Sequence, residues 1–339
     1  MDRPFARIPT APGRSVVLWQ GDALATLRER GAGASVVVTS PPYNRRVAYA
    51  SYGDDRTRAD YLRWMRQFGA AVARSLAPDG SLFLNVGSAP TDPWIAWDVA
   101  REVGRSLALQ NVLHWVKSIA IDRAAAGRAA RLSRDLAVGH YKPLVSDRFV
   151  HGAHEYVFHF SRSGRVPIDR LAIGVPYQDK SNVARWRSAG RDVRCRGNTW
   201  FLPYSTIRRR AVDRPHPATF PPELPEWCVR LHGLARVATV VDPFVGIGSS
   251  AVAAVRLGVD FVGIDLDPGY LATAAARVRA ELGARRSPGP SPRPSSARPR
   301  TRPRFPSRPE APTASSGSDG PPPRRRRRSS SLPSPACPP

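Results

Sequence analysis

Val240-Val241-Asp242-Pro243-Phe244-Val245-Gly246-Ile247-Gly248-Ser249-Ser250 sets two glycines between an apolar run and a helical pattern. Residues without a Cβ let the backbone turn sharply at a strand's carboxyl end and approach a ligand closely. The next apolar run ends at Asp265, 19 residues after Gly246, a distance at which a carboxylate can accept from ribose hydroxyls. The pattern predicts a strand over 237–241, a helix over 250–258, a strand over 260–264 and a helix over 268–282. Together they suit an adenosine-containing cofactor. The residues alone leave two readings open, because Gly246-x-Gly248-x-x-Ala251 also satisfies the dinucleotide fingerprint of nicotinamide enzymes.

The same rhythm appears upstream. Short β-rich runs at 16–20 and 35–39 flank a helical stretch over 23–30, a strand–helix–strand unit. Apolar residues at helical spacing over 60–76 stop at Ala77-Pro78-Asp79-Gly80, read as a turn, and a strand follows at 81–86. A helix over 94–104 and strands over 109–116 and 155–160 complete this half. Residues 161–214 break the alternation with 13 Lys and Arg, four Asp, and Tyr177, Trp186, Trp200, Phe201 and Tyr204 interspersed. The expected architecture is one α/β sheet over 1–286, interrupted by an irregular basic insert. The tail, 287–339, holds 16 prolines and 11 arginines with one aromatic residue, too little apolar surface to fold.

The chain has 339 residues and a formal net charge of +25, which points to a polyanion partner. Only Lys117, Lys142 and Lys180 are lysines, a skew that reflects genomic base composition as much as chemistry. Cys195, Cys228 and Cys337 are too few for a disulfide framework, and the start of the chain has no signal-peptide pattern, so a reduced cytoplasm is expected. The apolar stretch 237–255 is broken by Pro243, Gly246 and Gly248 and reads as strand, loop and helix rather than a membrane span. His151, His154 and His159 lack a third ligand at suitable spacing and any Cys-x-x-Cys, so no metal is expected.

Directly after the run Val36-Val37-Val38 comes Thr39-Ser40-Pro41-Pro42-Tyr43-Asn44. A diproline removes two backbone donors and leaves rigid carbonyls at a strand's carboxyl end, where ligands bind in open α/β sheets. Methylating an exocyclic base amine requires drawing the nitrogen lone pair out of the ring. An enzyme does so by accepting both amine hydrogens. The Ser40 hydroxyl and the Pro41 carbonyl are two such acceptors, and Tyr43 offers a face for an extruded base.

With these residues the chain resembles the amino-methyltransferases of DNA, in the permuted β arrangement where a Ser/Asp-Pro-Pro-Tyr/Phe motif precedes the cofactor loop. The resemblance also covers Gly21-Asp22-Ala23-Leu24, 76–83, Trp115-x-Lys117, His154-Glu155-Tyr156, 216–221 and Gly263-Ile264-Asp265. It implies a Rossmann-like, mostly parallel seven-stranded sheet with helices on both faces, ending in one antiparallel strand. It implies S-adenosyl-L-methionine as cofactor, held by Asp22, His216, Asp242, Phe244, Gly246, Gly248 and Asp265. Ser40, Pro41, Pro42 and Tyr43 become catalytic. The catalytic half is then 16–160, the target-recognition region 161–214 and the cofactor half 215–286. Double-stranded DNA is the implied partner, with Arg185, Arg187, Arg191, Arg194 and Arg196 as phosphate contacts and a cognate restriction endonuclease as a possible companion.

Ser rather than Asp at position 40 favours cytosine N4 over adenine N6. Cytosine C5 chemistry needs a thiolate, in that family a Cys following Pro, and none of the three cysteines has that neighbour.

Overall fold

β3 (Ala34–Thr39) is buried at every position, so Val36, Val37 and Val38 show no inside–outside alternation. Such a strand must be covered on both faces. In the structure, a computed structural model, Val36 and Val38 pack in one apolar core and Val37 in another, on opposite sides of one sheet. Residues 3–30, 33–49, 51–139, 145–185, 192–203 and 219–286 are described. Arg187, Arg191, His216 and the tail 287–339 lie outside them.

The remaining strands are β1 (Ala6–Ala11), β2 (Arg14–Gln20), β4 (Leu76–Val86), β5 (Ala108–Val116), β6 (Ser118–Ile121), β7 (Leu136–Gly139), β8 (His154–Ser161), β9 (Thr199–Phe201), β10 (Thr239–Asp242) and β11 (Asp260–Asp265). The helices are α1 (Ala23–Arg30), α2 (Arg58–Ser75), α3 (Ile95–Val103), α4 (Arg123–Ala126), α5 (Ser181–Arg185), α6 (Glu223–His232), α7 (Ser249–Leu257) and α8 (Pro268–Arg286). α1, α2 and α3 cover one face, with Leu27, Met65, Phe68 and Val99 in its core; α6, α7 and α8 cover the other with Leu224, Ala251 and Leu271. α2 starts where Thr57 accepts from the Asp60 amide, and buries Tyr61, Trp64, Met65, Phe68 and Val72 along one stripe. No helix of the described residues is long and apolar enough to cross a membrane.

The main sheet runs β1-β2-β11-β10-β3-β4-β8-β5-β9. The expected seven strands are its middle, from β2 to β5, and β1 and β9 extend it to nine. The antiparallel strand expected at the end, β8, lies inside, between β4 and β5. β1 is a second antiparallel strand, at the edge, where Pro9 costs no ladder bond. β9 pairs in parallel with β5, so the insert returns to the sheet. Residues 77–80 bulge within β4: pairing steps from Ala34–Leu76 to Val36–Ser81. A Cβ on Gly80 would lie 2.8 Å from the Ala34 carbonyl oxygen, so this position needs glycine.

From β3 the chain moves toward β4, and from β10 toward β11 in the opposite direction. The neighbours β3 and β10 therefore form a topological switch point, where the carboxyl ends of strands part and open a crevice.

Candidate active site

At that switch point the two motifs meet. The Thr39 hydroxyl donates to Asp242 Oδ1 at 2.6 Å across 203 positions of sequence. Above the pair opens a cleft of ≈ 990 Å³, partly open to solvent, lined from one side by Ser40, Pro41, Pro42 and Tyr43 and from the other by Phe244, Gly246 and Asp265.

The cofactor side is built largely from backbone. Gly248 has φ +81°, and a Cβ there would lie 2.7 Å from the Cβ of Ala274, so glycine lets the loop seat against α8. Asp265, at the end of β11, accepts from the Gly246 amide at 2.8 Å and from the Asp267 amide at 2.9 Å. Burial raises its pKa, an effect those amides oppose. Its carboxylate thus fixes the glycine turn while facing the cleft. Asp22 also lines the cleft, and its Oδ1 caps α1 by accepting from the Leu24 and Ala25 amides at 3.0 and 2.9 Å. Phe244 lies edge-on to Trp64, with ring centroids 5.5 Å apart, and forms part of the wall. Thr219 and Phe220 of the 216–221 segment line the cleft as well. Carboxylates at two strand ends, a glycine turn and an aromatic wall fit an adenosine-bearing cofactor.

Asp242 and Gly248 do not line the cleft. Asp242 is buried beneath the loop, accepting from Thr39, from Ser250 Oγ at 2.5 Å and from the Phe244 amide at 3.0 Å. Burial pushes its pKa up to about 6. Both residues hold the loop in place from behind.

On the catalytic side the Tyr61 hydroxyl donates to the Pro42 carbonyl at 2.9 Å, whereas no described residue donates to the Pro41 carbonyl. Ser40 Oγ lies 2.7 Å from the Tyr43 hydroxyl. Tyr43 OH is in turn 3.0 Å from Glu155 Oε2 and 2.8 Å from Asn85 Nδ2, and Lys117 Nζ donates to Glu155 Oε1 at 2.9 Å. Burial raises the pKa of Glu155, but Lys117 and hydrogen bonds from Lys117, Asn85 and Tyr43 outweigh it, leaving the carboxyl below its ordinary value. Strand register makes this cluster. Val86 pairs with Tyr156 and Val116 with His154, which brings Asn85, Lys117 and Glu155 together behind the motif.

Sequence patterns carried no role for Asn85, Lys117 or Glu155, nor for the loop 44–57. That loop folds around the buried Asp54, whose carboxylate accepts from the amides of Asn44, Arg45 and Val47 at 2.8, 2.9 and 3.1 Å. It brings Tyr49, Ser51, Tyr52 and Arg56 to the cleft and is tied to the cofactor half by Ser51 Oγ donating to Asp267 Oδ2 at 2.6 Å. The polar composition of the loop was its only signal.

The basic residues divide. Arg185 and Arg194 are exposed. Arg196, expected on the DNA side, turns inward: its guanidinium sits 4.1 Å from the centroid of Trp227 and donates to the Ile173 carbonyl at 2.8 Å. The insert leaves β8 at Ser161, opposite Ser81 and Ala108, at the end of the sheet remote from Ser40. Residues 117–153, by contrast, leave β5 and enter β8 at the catalytic end. Their described parts carry Arg123, Arg128, Arg131, Arg134 and Arg148. No group of three or more His, Cys, Asp or Glu among the described residues is arranged to hold a metal. Of the three histidines, His159 is buried between Asn111 and Ser81.

Comparison with known proteins agrees with this geometry. A family model described as DNA methylase, covering N6 and N4 enzymes, matches residues 34–276. The type II methyltransferase M.XycI of Xanthomonas campestris pv. cyanopsidis is 28% identical over 290 residues, covering 79% of this chain and 89% of that protein. The type II methyltransferase M.ScaI of Streptomyces caespitosus is 25% identical over 299 residues, covering 83% and 89%. Among solved structures, the PvuII DNA methyltransferase (cytosine-N4-specific) superposes with a TM-score of 0.56 at 18% identity, covering 83% of this chain and 94% of that one, and shares the fold. S-adenosylmethionine is the methyl donor of this class, and the cleft fits it. By motif order, cleft geometry and family match, the chain belongs to the DNA methylase family of N6/N4 amino-methyltransferases and is a DNA methyltransferase.

Proposed function

We propose that the chain methylates the exocyclic amine of a base flipped out of duplex DNA, and that the base is cytosine, at N4. The observation that carries this reading is the single cleft shared by Ser40, Pro41 and Asp265. Bound S-adenosylmethionine supplies a methyl group activated by a sulfonium. Asp265 would hold the ribose, Asp22 the adenine amine, and Phe244, Gly246, Thr219 and Phe220 the walls, with Asp242 and Gly248 fixing the loop from behind. His216 belongs to the same proposal from outside the described residues.

The protein's own work is done at the amine. Ser40 Oγ and the Pro41 carbonyl accept its two hydrogens, which localises the nitrogen lone pair for attack. Pro42, tied to Tyr61, holds the carbonyl ahead of it in place. Serine at position 40, where adenine-specific members of the family usually carry aspartate, leans the reading toward cytosine, and the PvuII enzyme with the same fold is cytosine-N4-specific by its name. Adenine N6 is the alternative.

Phosphates of the duplex would be met by Arg185 and Arg194 of the insert, by Arg187 and Arg191 outside the described residues, and by the arginines of 117–153 at the catalytic end. A companion restriction endonuclease belongs to the proposal because the relatives are type II methyltransferases. The test is to incubate the protein with S-adenosylmethionine and diverse duplex DNA, digest, and identify nucleosides by mass. N4-methylcytosine is expected. N6-methyladenine alone would overturn the base, and neither product would overturn methyl transfer itself.

A further inference from the structure

The hydrogen-bond chain behind Ser40 has a direction, and a charged residue sets it. Ionised carboxylate oxygens only accept, and an ammonium or amide nitrogen only donates. Lys117 Nζ donates to Glu155 Oε1, so Oε2 remains for Asn85 Nδ2 at 2.8 Å and the Tyr43 hydroxyl at 3.0 Å. The Asn85 amide is oriented by the same charge: flipping it would set Oδ1 against the carboxylate, and in its present orientation buried Oδ1 has no partner. The Tyr43 hydroxyl also reaches the Asn85 carbonyl at 3.2 Å, but it gives its one proton to Glu155 at 3.0 Å, whose charge makes the stronger bond. It then has none for Ser40. At 2.7 Å the remaining arrangement is Ser40 Oγ–H donating to the Tyr43 oxygen.

We propose that Glu155, oriented by Lys117, is a positioning residue that fixes this polarity. It compels Ser40 to point its hydrogen away from the cleft and leaves a lone pair for the target amine, with Asn85 Nδ2 facing the same oxygen at 3.4 Å. The inference rests on the amino-methyltransferase reading and deepens it, because a serine free to turn its hydroxyl hydrogen outward would meet an N–H with an O–H. The groups facing Glu155 are Lys117 from β5, Asn85 from β4, Tyr43 from the motif, and its neighbour His154 on β8.

Glu155→Gln keeps the shape and inverts the chemistry. Lys117 attracts the amide oxygen of the new side chain and turns its NH2 toward Tyr43, so the Tyr43 proton is released to Ser40 Oγ at 2.7 Å or to the Asn85 carbonyl at 3.2 Å, and the fixed direction at Ser40 is lost. Adding Lys117→Met removes the reason for that orientation, and the amide can rotate its oxygen back to Tyr43 and Asn85.

The experiment compares wild type, E155Q and E155Q/K117M for cofactor affinity by calorimetry, thermal midpoint, and single-turnover methyl transfer to duplex DNA. Expected for E155Q are unchanged cofactor affinity and a transfer rate about 100-fold lower, the loss typical of removing one preorganised polar contact. The double variant is expected to recover at least about a tenfold share of that loss. E155Q transferring at the wild-type rate would overturn the proposal. So would E155Q losing cofactor affinity or folding, which would make Glu155 a structural residue, or a double variant no faster than the single one. Absence of transfer by the wild-type protein would instead remove the underlying functional reading.

Discussion

Tyr43→Phe separates two roles that one residue could have in this site. The ring could serve as a face for the extruded base, and the hydroxyl reaches Ser40 Oγ at 2.7 Å, Asn85 Nδ2 at 2.8 Å and Glu155 Oε2 at 3.0 Å. Phenylalanine keeps the ring and deletes the hydroxyl. Glu155, ionised and half-buried, then loses one charge-assisted donor, and Ser40 loses the acceptor that fixes its rotamer. A hydrogen bond to a charged group is worth about 1.5–3 kcal/mol, and a loss of that size felt in the transition state lowers the rate about 10- to 150-fold. Cofactor affinity is expected to hold, because Asp265 and Gly246 take no part in this cluster. The assay is single-turnover transfer of labelled methyl groups to duplex DNA at saturating cofactor, beside calorimetric binding. If Tyr43→Phe turns over like wild type while Tyr43→Ala is inactive, the ring alone matters and the hydroxyl argument fails.

Asp265→Asn is expected to weaken S-adenosylmethionine binding at least about tenfold, since it removes the charge that ribose hydroxyls would meet; calorimetry showing wild-type affinity would take Asp265 out of the cofactor site. Gly248→Ala places a Cβ 2.7 Å from Ala274 Cβ at φ +81°, and both strain and overpacking predict about 2–4 kcal/mol lost in urea denaturation. An unchanged midpoint there would refute the packing role. Burial, with weaker contributions from neighbouring charges, depresses the pKa of His159 to about 3 and of His232 to about 4, and both rings bond to Ser81. The unfolded chain takes up those protons near pH 6.5 and the fold does not, so their stabilisation is present above that pH and is lost as pH falls toward 4. His232→Gln should therefore shrink the acid-induced loss of stability by up to about 1.4 kcal/mol per pH unit between pH 6 and 5. Equal pH slopes for variant and wild type would contradict it.

Much of the architecture was legible because it is written in local patterns. The uninterrupted valines of β3 announce a strand covered on both faces, the stripe from Tyr61 to Val72 announces an amphipathic helix, and Gly246, Gly248 and Asp265 mark a ligand-binding turn. Each follows from burial or backbone freedom within a few residues. β9, three residues long, is too short for any period to show, and β1 was obscured by Pro9, which only an edge strand tolerates. The pair β6 and β7 sits in an excursion whose composition reads as loop.

What the amino acids determined by themselves is the set of chemical parts and the order of strands and helices that carries them. Tertiary structure alone decided which parts meet and which way they face. Asp242 and Arg196 turn away from the ligands expected for them because a buried pair of hydroxyls and a tryptophan face hold them. Glu155 gains Lys117, Asn85 and Tyr43 through antiparallel registers that no one-dimensional pattern encodes, since pairing depends on the packing of the whole sheet. The direction of the Ser40 hydroxyl is settled there, by a charge 115 positions away.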